Sequence, residues 1–424
     1  MVTTLRTLLV AAMALTAFLA PVVSTPAHAA PPSNLESVRS FHKRAEQGGT
    51  FHVVFFGGSL TFGANASDPT TTSYRGLMMD YLLKKYPRAN ITFHDAAIGG
   101  SGSNLGIYRL DRDVLRHKPD LVFLDFTVND GEDKDLPVLA CYERIVRKVI
   151  GSGSALVPAM FCFKYHMENL DSPLPPGHEV HLKLLQHYNL PVANVIQGMK
   201  GVIKSGKATR EEIWSIGKDG AHPGDLGYKY FFEFVKETYE GAIKDDAVVQ
   251  TLPEKAMYEE IYPVVTRQVL VEGALPEGWK REGTRRTSMW FDGLSSRWMT
   301  DVAAASIVDG KAPAPLEVKF RGSSVGLFGE RDGISLSFHA YIDGKQVLTP
   351  GNPKRKIEPS PIWTVNSAAM SVAKAGQGNL FSWIVLAKDL PDGEHTLRIE
   401  PITTGEGIDP KAQLRIESVC SAGK

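Results

Sequence analysis

The feature that most constrains the fold is a set of short apolar runs in the first half of the chain, separated by helical patterns. His52–Phe56 and Leu121–Phe126 are almost wholly apolar. Strands of this kind are buried on both faces, as in parallel sheets that are covered by helices. Ala155–Phe163 and Pro191–Val195 are predicted as further strands.

Two helices are predicted between these strands. Leu136–Ile150 places apolar residues at spacings of three and four, on one helical stripe. Tyr74–Tyr86 is the second helix, and Pro87 ends it. Strand–helix alternation implies parallel strands with right-handed crossovers, hence an α/β sandwich of three layers. Ligands of such sheets bind beyond the carboxyl ends of the strands.

Four blocks of polar and small residues follow or open elements at such edges. They are Gly57-Gly58-Ser59-Leu60-Thr61, Gly99-Gly100-Ser101-Gly102, Thr127-Val128-Asn129-Asp130 and Asp219-Gly220-Ala221-His222-Pro223. A serine nucleophile needs a base to take its proton, and the base needs a carboxylate to set its tautomer. Each block alone is common in turns and helix starts, but the ordered set indicates a serine hydrolase.

This ordered set resembles the SGNH (GDSL-like) hydrolase superfamily over roughly residues 50–235. The resemblance implies an α/β three-layer sandwich in which Ser59 is the nucleophile and His222 and Asp219 complete the triad. The implied oxyanion hole combines the backbone N–H groups of Ser59 and Gly100 with the side-chain amide of Asn129. No metal or other cofactor is implied.

Two positions depart from the family pattern. Gly58 stands where an acidic residue is usual, and Val128 stands where a glycine is usual before the asparagine. The first substitution is expected to alter turn support beside Ser59, and the second to narrow the groove near Asn129. The spacing also leaves an alternative for Asp219, which would then order its loop while a backbone carbonyl orients the histidine.

After about Ala242 the sequence changes from strand–helix alternation to a β-rich pattern. We expect an SGNH-like domain over 30–247, a linker at 248–255 and an accessory β-sandwich or jelly roll over 256–424. Asp343-Gly344 and Asp392-Gly393 are predicted as tight hairpin turns. The predicted strands are Pro315–Phe320, Ser324–Phe328, Ser335–Ile342, Phe381–Leu386, His395–Glu400 and Gln413–Val419.

Aromatic residues are concentrated in this second half, which carries five of the six tryptophans. They admit two interpretations, stacking on sugar rings or packing in the sandwich core and the domain interface, and the second is favoured. The five residues are Trp279, Trp290, Trp298, Trp363 and Trp383.

The amino terminus has the order of a secretory signal peptide. Arg6 precedes an apolar run from about Leu8 to Val23, and Ala27-His28-Ala29 gives a small-x-small cleavage signal. A retained membrane anchor is the rival interpretation, but the run is short for a bilayer and Pro21 interrupts its end. We therefore expect residues 1–29 to be removed, no membrane contact afterwards, and a secreted, periplasmic or cell-surface protein.

Charge and cysteine content exclude several classes of protein. The chain has 47 basic and 47 acidic residues, and loss of Arg6 leaves a net charge of −1. No clustered basic face for nucleic acid is expected from this balance. Cys141, Cys162 and Cys420 lie in apolar segments and indicate buried thiols, with neither a disulfide framework nor metal-ligand spacing.

The predicted substrate is an acetylated polysaccharide or oligosaccharide, because export and a β-domain resemble the layout of exported carbohydrate O-acetylesterases. A lipase, arylesterase or thioesterase is the alternative, and a non-catalytic carbohydrate-binding surface protein is a further one. Hydrolysis and acyl transfer both pass through an acyl-enzyme and stay open. Four more histidines fall in a polar, proline-containing stretch and are predicted on a surface loop or helix. They are His166, His178, His181 and His187. In an alternative interpretation, one of them lines the substrate cleft.

Overall fold

A computed structural model describes residues 35–131, 136–258, 262–285, 297–352, 356–365 and 380–424. The predicted signal peptide and Trp290 lie outside these ranges. Within the described ranges, no helix combines the length and the apolar composition needed to cross a bilayer.

The first half of the chain alternates strands and helices. The strands are β1 (Gly49–Gly57), β2 (Ala89–Ala97), β3 (Leu121–Asp125) and β4 (Ala155–Pro158). The helices are α1 (Val38–Gln47), α2 (Ser59–Phe62), α3 (Tyr74–Lys85), α4 (Ser103–Asp113), α5 (Thr127–Asp130), α6 (Leu136–Gly151), α7 (Pro176–His187), α8 (Val195–Lys204), α9 (Arg210–Ile213) and α10 (Asp225–Lys244).

The four strands form one parallel sheet in the order β2-β1-β3-β4, and helices cover both of its faces. In β1, Val53 and Phe55 enter the core on the side of α1, α3, α8 and α10. The alternate residues, Val54 and Phe56, enter the core on the side of α4 and α6. The predicted three-layer α/β sandwich is confirmed, because strand residues of both parities are buried.

Two strand predictions are wrong in extent, and one strand was missed. Ala155–Phe163 contains only the four residues of β4. Pro191–Val195 makes a single bridge between Ala159 and Ala193 before α8 begins at Val195. The apolar residues of both segments are buried in helix-packed loops, and periodicity cannot separate such loops from strands. The edge strand β2 was missed because exposed and buried residues mix along it.

The second half of the chain is β-rich. Its strands are β5 (Val264–Val269), β6 (Trp279–Glu282), β7 (Val302–Ser306), β8 (Leu316–Arg321), β9 (Ser324–Arg331), β10 (Phe338–Ile342), β11 (Lys345–Val347), β12 (Leu380–Ala387), β13 (Glu394–Pro401) and β14 (Gln413–Gly423). One sheet has the order β11-β10-β13-β8, and the other has the order β12-β9-β14-β7-β6, with β5 paired to β14. A third apolar core fills the space between them and confirms the β-sandwich.

One of the two predicted hairpin turns is present. Asp343 and Gly344 both have positive φ, 51° and 77°, and connect β10 to β11, as a type I′ turn requires. The prediction for Asp392-Gly393 is wrong. Strands β12 and β13, on either side of that turn, belong to different sheets, so the chain crosses the sandwich there.

The described tryptophans pack in apolar cores. Trp279 and Trp363 are buried between the two sheets of the sandwich. Trp298 is buried between the two halves of the protein, and the half-buried Trp383 contacts Tyr108 of α4 there, with ring centroids 5.3 Å apart. The core-packing interpretation therefore holds for these four residues.

The two halves share one apolar core. Trp298, Val302, Phe328 and Cys420 from the sandwich are buried in the same cluster as residues of α4 and α6. The three cysteines are all buried, as expected. The predicted linker also packs closely, since the buried Gln250 side chain accepts from the Leu156 N–H and donates to the Ser154 carbonyl. The domain boundary itself stays a prediction.

Candidate active site

Three neighbouring strands bring their carboxyl ends to one edge of the parallel sheet. Ser59 follows β1, Gly100 follows β2, and Asn129 follows β3. Because β1 lies between β2 and β3, the serine stands between the other two residues. The positions predicted from the sequence therefore converge at the edge where ligands of open α/β sheets bind.

The imidazole of His222 connects Ser59 to Asp219. Its Nε2 atom lies 2.7 Å from Ser59 Oγ, and its Nδ1 atom lies 2.7 Å from Asp219 Oδ2. A carboxylate only accepts, so Nδ1 carries the proton and Nε2 is free to accept from the serine hydroxyl. This tautomer is the one a general base needs. Ser59 is 6% exposed, so its hydroxyl is shielded but reachable.

Asp219 accepts four hydrogen bonds. The backbone N–H groups of Ala221 (2.8 Å) and His222 (3.2 Å) donate to Oδ1. Burial raises the pKa of this carboxyl, but the bonds and charge of His222 and the bonds from the backbone N–H groups outweigh it and hold the pKa below its usual value. Asp219 is therefore ionised when it faces the imidazole.

Asn65 is a residue of the site that sequence reasoning missed. Its Nδ2 atom donates to Asp219 Oδ2 (3.1 Å) and to the carbonyl of His222 (3.0 Å). Asn65 is buried in the loop after α2 and has a φ of 71°, a left-handed conformation that asparagine tolerates better than most residues. The available signal was an asparagine in a short loop after the serine, which is too common to select.

The three predicted oxyanion donors lie at the same edge of the sheet as the serine hydroxyl. Ser59 is the first residue of α2, where an N–H has no intrahelical acceptor. Gly100 has a φ of 78°, in the region that favours glycine, and a Cβ placed there would lie 3.9 Å from the ring of Phe381. The side chain of Asn129 packs against Gly58, so its amide lies beside the serine. Such donors can stabilise negative charge that develops on a carbonyl oxygen.

Both departures from the family pattern have a structural explanation. A Cβ at Gly58 would collide with the side-chain oxygen of Asn129, so the absence of a side chain at 58 makes room for the amide. Val128 is buried in the core on the α3 side of the sheet. The expected narrowing of the groove by Val128 is therefore wrong, because its side chain points into the protein.

The buried carboxyl of Asp125 accepts a hydrogen bond from α2. Asp125, at the end of β3, is fully buried and accepts from the Thr61 hydroxyl (3.3 Å), which in turn accepts from the Tyr74 hydroxyl (3.3 Å). Burial, with a smaller contribution from the charge of Asp130, raises the pKa of Asp125 to about 8, although the bond from Thr61 opposes the shift. The carboxyl therefore holds its proton at neutral pH.

The histidines predicted on the surface are mostly buried, so that prediction is wrong for three of the four. His178 and His181 are 2% and 1% exposed on the inner face of α7, and His166 is also buried. His187, at the end of α7, is exposed. On the inner face of α7, His178 Nε2 donates to the Phe161 carbonyl, and His181 lies within hydrogen-bond distance of Asp130.

His181 connects α7 to the loops of the site. Its Nδ1 atom lies 2.8 Å from the Gly177 carbonyl, and its Nε2 atom lies 3.2 Å from Asp130 Oδ2. Asp130 Oδ1 accepts from the Ser103 N–H at 2.7 Å. Asp130 follows Asn129, and Ser103 follows the Gly100 loop. The Asp130 carboxylate therefore joins the two loops that carry Gly100 and Asn129.

The described residues contain no group of three or more His, Cys, Asp or Glu side chains placed to hold a metal ion. The arrangement consists of Ser59, His222 and Asp219 joined by hydrogen bonds, with the predicted N–H donors at the same edge of the sheet.

Comparisons with known proteins agree with this geometry. Residues 55–230 match the family model described as the GDSL-like Lipase/Acylhydrolase family. No curated protein sequence matches the chain significantly.

Among solved structures, a two-domain esterase (CEX) active on acetylated mannans, co-crystallised with mannopentaose, is 18% identical with a TM-score of 0.71. That match covers 92% of this chain and 96% of the other. A second structure of a two-domain esterase (CEX) active on acetylated mannans is 20% identical with a TM-score of 0.68, covering 90% and 94%. At this identity the likeness shows a shared two-domain fold. Residues 55–230 are therefore similar to the GDSL-like lipase/acylhydrolase family, and this match supports an ester hydrolase.

Proposed function

We propose that the protein is an exported serine esterase that removes O-acetyl groups from a polysaccharide or oligosaccharide. The observation that carries the proposal is the position of His222, 2.7 Å from both Ser59 Oγ and Asp219 Oδ2. That geometry supports a Ser59–His222–Asp219 triad acting on an ester carbonyl.

In the proposed reaction, His222 Nε2 takes the proton of Ser59 as Oγ attacks the acetyl carbonyl. Asp219 stabilises the imidazolium, and the N–H groups of Ser59 and Gly100, with the Asn129 amide, bind the oxyanion. Loss of one such donor typically lowers turnover ~10²–10³-fold. His222 then protonates the sugar oxygen as the C–O bond breaks. Water repeats the sequence on the acetyl-enzyme and releases acetate and the free serine.

Three observations support a carbohydrate ester as the substrate. The chain shares its two-domain fold with an esterase that is active on acetylated mannans. The amino terminus carries the pattern of a secretory signal peptide, which agrees with an extracellular polymer as substrate. The family model that matches residues 55–230 describes acylhydrolases, which agrees with an ester as the substrate.

A lipase, arylesterase or thioesterase is the alternative within the same superfamily. Its site needs an apolar slot for a long acyl chain. Preference among 4-nitrophenyl esters separates the two functions, since an acetylesterase prefers acetate and a lipase gains activity toward octanoate.

Acetate release from acetylated mannan and acetylated xylan tests the proposal directly. We expect the purified protein to release acetate and Ser59→Ala to lose at least ~10³-fold in turnover, because the nucleophile is gone. Ser59-dependent cleavage of 4-nitrophenyl acetate without release from either polymer would leave an esterase and remove the polysaccharide. Full activity in Ser59→Ala would contradict the mechanism.

A further inference from the structure

Arg109 is a buried cation to which the proposed reaction gives no role. Its side chain, on α4, is 1% exposed. Asp113 Oδ2 lies 3.1 Å from Arg109 Nη1, and Asp113 Oδ1 pairs with Arg112 as well. Burial lowers the pKa of Arg109 to about 10, although the charge of Asp113 opposes the shift, so the guanidinium is charged at neutral pH. A buried charge is costly unless hydrogen bonds surround it, and the partners of Arg109 therefore show what it holds in place.

The guanidinium of Arg109 reaches the ends of β1 and β2. Its Nη2 atom donates to the Gly57 carbonyl at 3.1 Å, and its Nη1 atom donates to the Ala96 carbonyl at 2.5 Å. Gly57 is the last residue of β1, just before the segment of Ser59, and Ala96 lies in the last turn of chain before the Gly100 loop. One planar group therefore joins the two strand ends that lead to Ser59 and Gly100.

A further hydrogen bond reaches the turn that contains Gly100. Arg109 Nη2 donates to Ser101 Oγ at 3.3 Å. The N–H and the hydroxyl of Ser101 both donate to the Ile98 carbonyl, at 3.2 and 2.8 Å. Ile98 and Ser101 thus close a turn around Gly100, which has a φ of 78°. Because the N–H of Gly100 is directed by this turn, Arg109 fixes the direction through Ser101.

The end of β3 lies against the same guanidinium. The central carbon of Arg109 lies 4.5 Å from the ring centre of Phe56 and 5.8 Å from that of Phe126, and the two rings pack edge to face. Such cation–π contacts are attractive. Phe126 follows β3 directly, and its carbonyl accepts from the Asn129 N–H at 2.9 Å. Arg109 therefore contacts the ends of all three strands that lead to the predicted oxyanion donors.

We propose that Arg109 is a positioning residue that sets the three predicted oxyanion donors relative to one another. This inference rests on the proposed function, since it concerns the donors of the same site. Arg109 acts through the N–H groups of Ser59 and Gly100 and the amide of Asn129, by holding the strand ends and the turn that carry them. Oxyanion donors are effective because they are fixed before charge develops on the substrate. Their displacement therefore weakens binding of the transition state more than binding of the ester.

Turnover of 4-nitrophenyl acetate by Arg109→Met and Arg109→Lys tests the inference. Rates are expressed per folded molecule, with the folded fraction taken from circular dichroism. We expect Arg109→Met to lower kcat and kcat/KM equally, by ~10²-fold, the scale for displaced catalytic groups. Arg109→Lys keeps the charge without the planar fork of donors, so its loss should be smaller. The control is Arg147→Met on α6, which removes hydrogen bonds to Tyr188, Pro253 and Glu254 and should keep the wild-type kcat.

The double variant Arg109→Met/Asn129→Ala separates positioning from stability. If Arg109 acts through the donors, Arg109→Met should lower kcat by a smaller factor in Asn129→Ala than in the wild type, because a donor that is already lost cannot be displaced. A residue that only stabilises the fold would leave kcat per folded molecule unchanged in both proteins. If Arg109→Met does not fold, Arg109→Lys takes its place in the same comparison.

Two results would overturn the role of Arg109. They are a wild-type kcat per folded molecule in both Arg109 variants, and an equal fold-loss with and without Asn129→Ala. Ser59→Ala distinguishes this failure from failure of the proposed function. Loss of activity in Ser59→Ala beside wild-type kcat in the Arg109 variants would reject the positioning role alone. Full activity in Ser59→Ala would reject the proposed mechanism and the positioning role with it.

Discussion

Asp125 shows how a single buried residue can support a site without touching the substrate. It lies where β3 ends, pairs in register with Gly57 of β1 and accepts from Thr61 of α2. An ionised carboxylate there would be buried with only one hydrogen bond, which is costly. Its proton is thus part of the folded structure near neutral pH, as its raised pKa of about 8 indicates.

Asp125→Asn is expected to keep activity at pH 7, because the amide has the shape of the protonated carboxyl. The folded state retains the proton up to about pH 8, whereas the unfolded chain loses it near pH 4. The wild type therefore loses stability as the pH rises from about 4 to about 8, and the asparagine variant does not. Urea unfolding at pH 5, 7 and 9 measures the free energy of unfolding of both proteins. The value for the variant, relative to the wild type, should be higher at pH 7 than at pH 5 and higher again at pH 9.

The control for this comparison is Asp111→Asn, which changes an exposed aspartate on α4. The free energy of unfolding of Asp111→Asn should differ from that of the wild type by the same amount at each pH. If the free energies of unfolding of Asp125→Asn and the wild type differ by a constant amount from pH 5 to pH 9, Asp125 is ionised throughout this range and the prediction is wrong.

At the scale of an element, α7 contacts two segments near the site through buried histidines. His178 contacts His166, and His181 contacts Asp130. Both imidazoles are buried on the same face of one helix. A change in the position of α7 would therefore affect both the segment that carries His166 and the loop that carries Asn129.

Burial of His178 makes the stability of the protein sensitive to acid. Burial, with smaller contributions from the charges of His181 and Lys200, lowers its pKa to about 4, although the bond to the Phe161 carbonyl opposes the shift. An unfolded histidine titrates near 6.5. Between these values only the unfolded chain binds the proton, so the free energy of unfolding decreases as the pH falls from about 6.5 to about 4.

His178→Gln is expected to reduce this slope by up to ~1.4 kcal/mol per pH unit, the value for one proton. Urea unfolding between pH 7 and pH 4.5 measures the slope. His187→Gln, which replaces the exposed histidine of the same helix, should keep the wild-type slope. An unchanged slope in His178→Gln would show that His178 is not the group that titrates.

At the scale of the whole molecule, the two halves are joined by an apolar core and by polar contacts near the site. Trp298 is 2% exposed in the shared core. The neighbouring Arg297 donates to the carbonyl of Ala97 (3.2 Å) and lies 3.1 Å from Asp95 Oδ2, both at the end of β2 before the Gly100 loop. We infer that the sandwich stabilises the end of β2, which precedes Gly100, one of the predicted oxyanion donors.

Trp298→Ala is expected to lower the free energy of unfolding by ~3–5 kcal/mol, as for other large buried aromatics. Because the shared core joins both halves, we expect a single thermal transition in the wild type. Loss of esterase activity and loss of near-ultraviolet circular dichroism should share its midpoint. Two separate transitions, with Trp298→Ala moving only one of them, would show that the halves unfold independently.

Short-range sequence patterns were sufficient to predict the architecture and most residues of the candidate site. Short apolar runs and a helical stripe predicted the parallel sheet and α6, since burial on both faces leaves few polar residues in a strand. Ser59, Gly100, Asn129 and His222 were selected because the blocks that hold them follow or open elements and, in that order, resemble the SGNH hydrolase motifs. Parallel strands place their carboxyl ends at one edge of a sheet, so the residues that follow them were expected to meet. An Asp-Gly pair predicted the turn at Asp343, where positive φ is a local requirement.

Only the tertiary structure decided the contacts between distant segments. The role of Asn65 depends on a loop more than 150 residues away from it in the chain. The buried histidines of α7 looked like surface residues because a polar side chain in a sequence does not reveal its partner. The sequence determined the strand–helix alternation of the first half and the turn at Asp343, since these follow from local sterics and periodicity. The fold determined which of them meet, because burial and hydrogen bonding are satisfied only when the whole chain is packed.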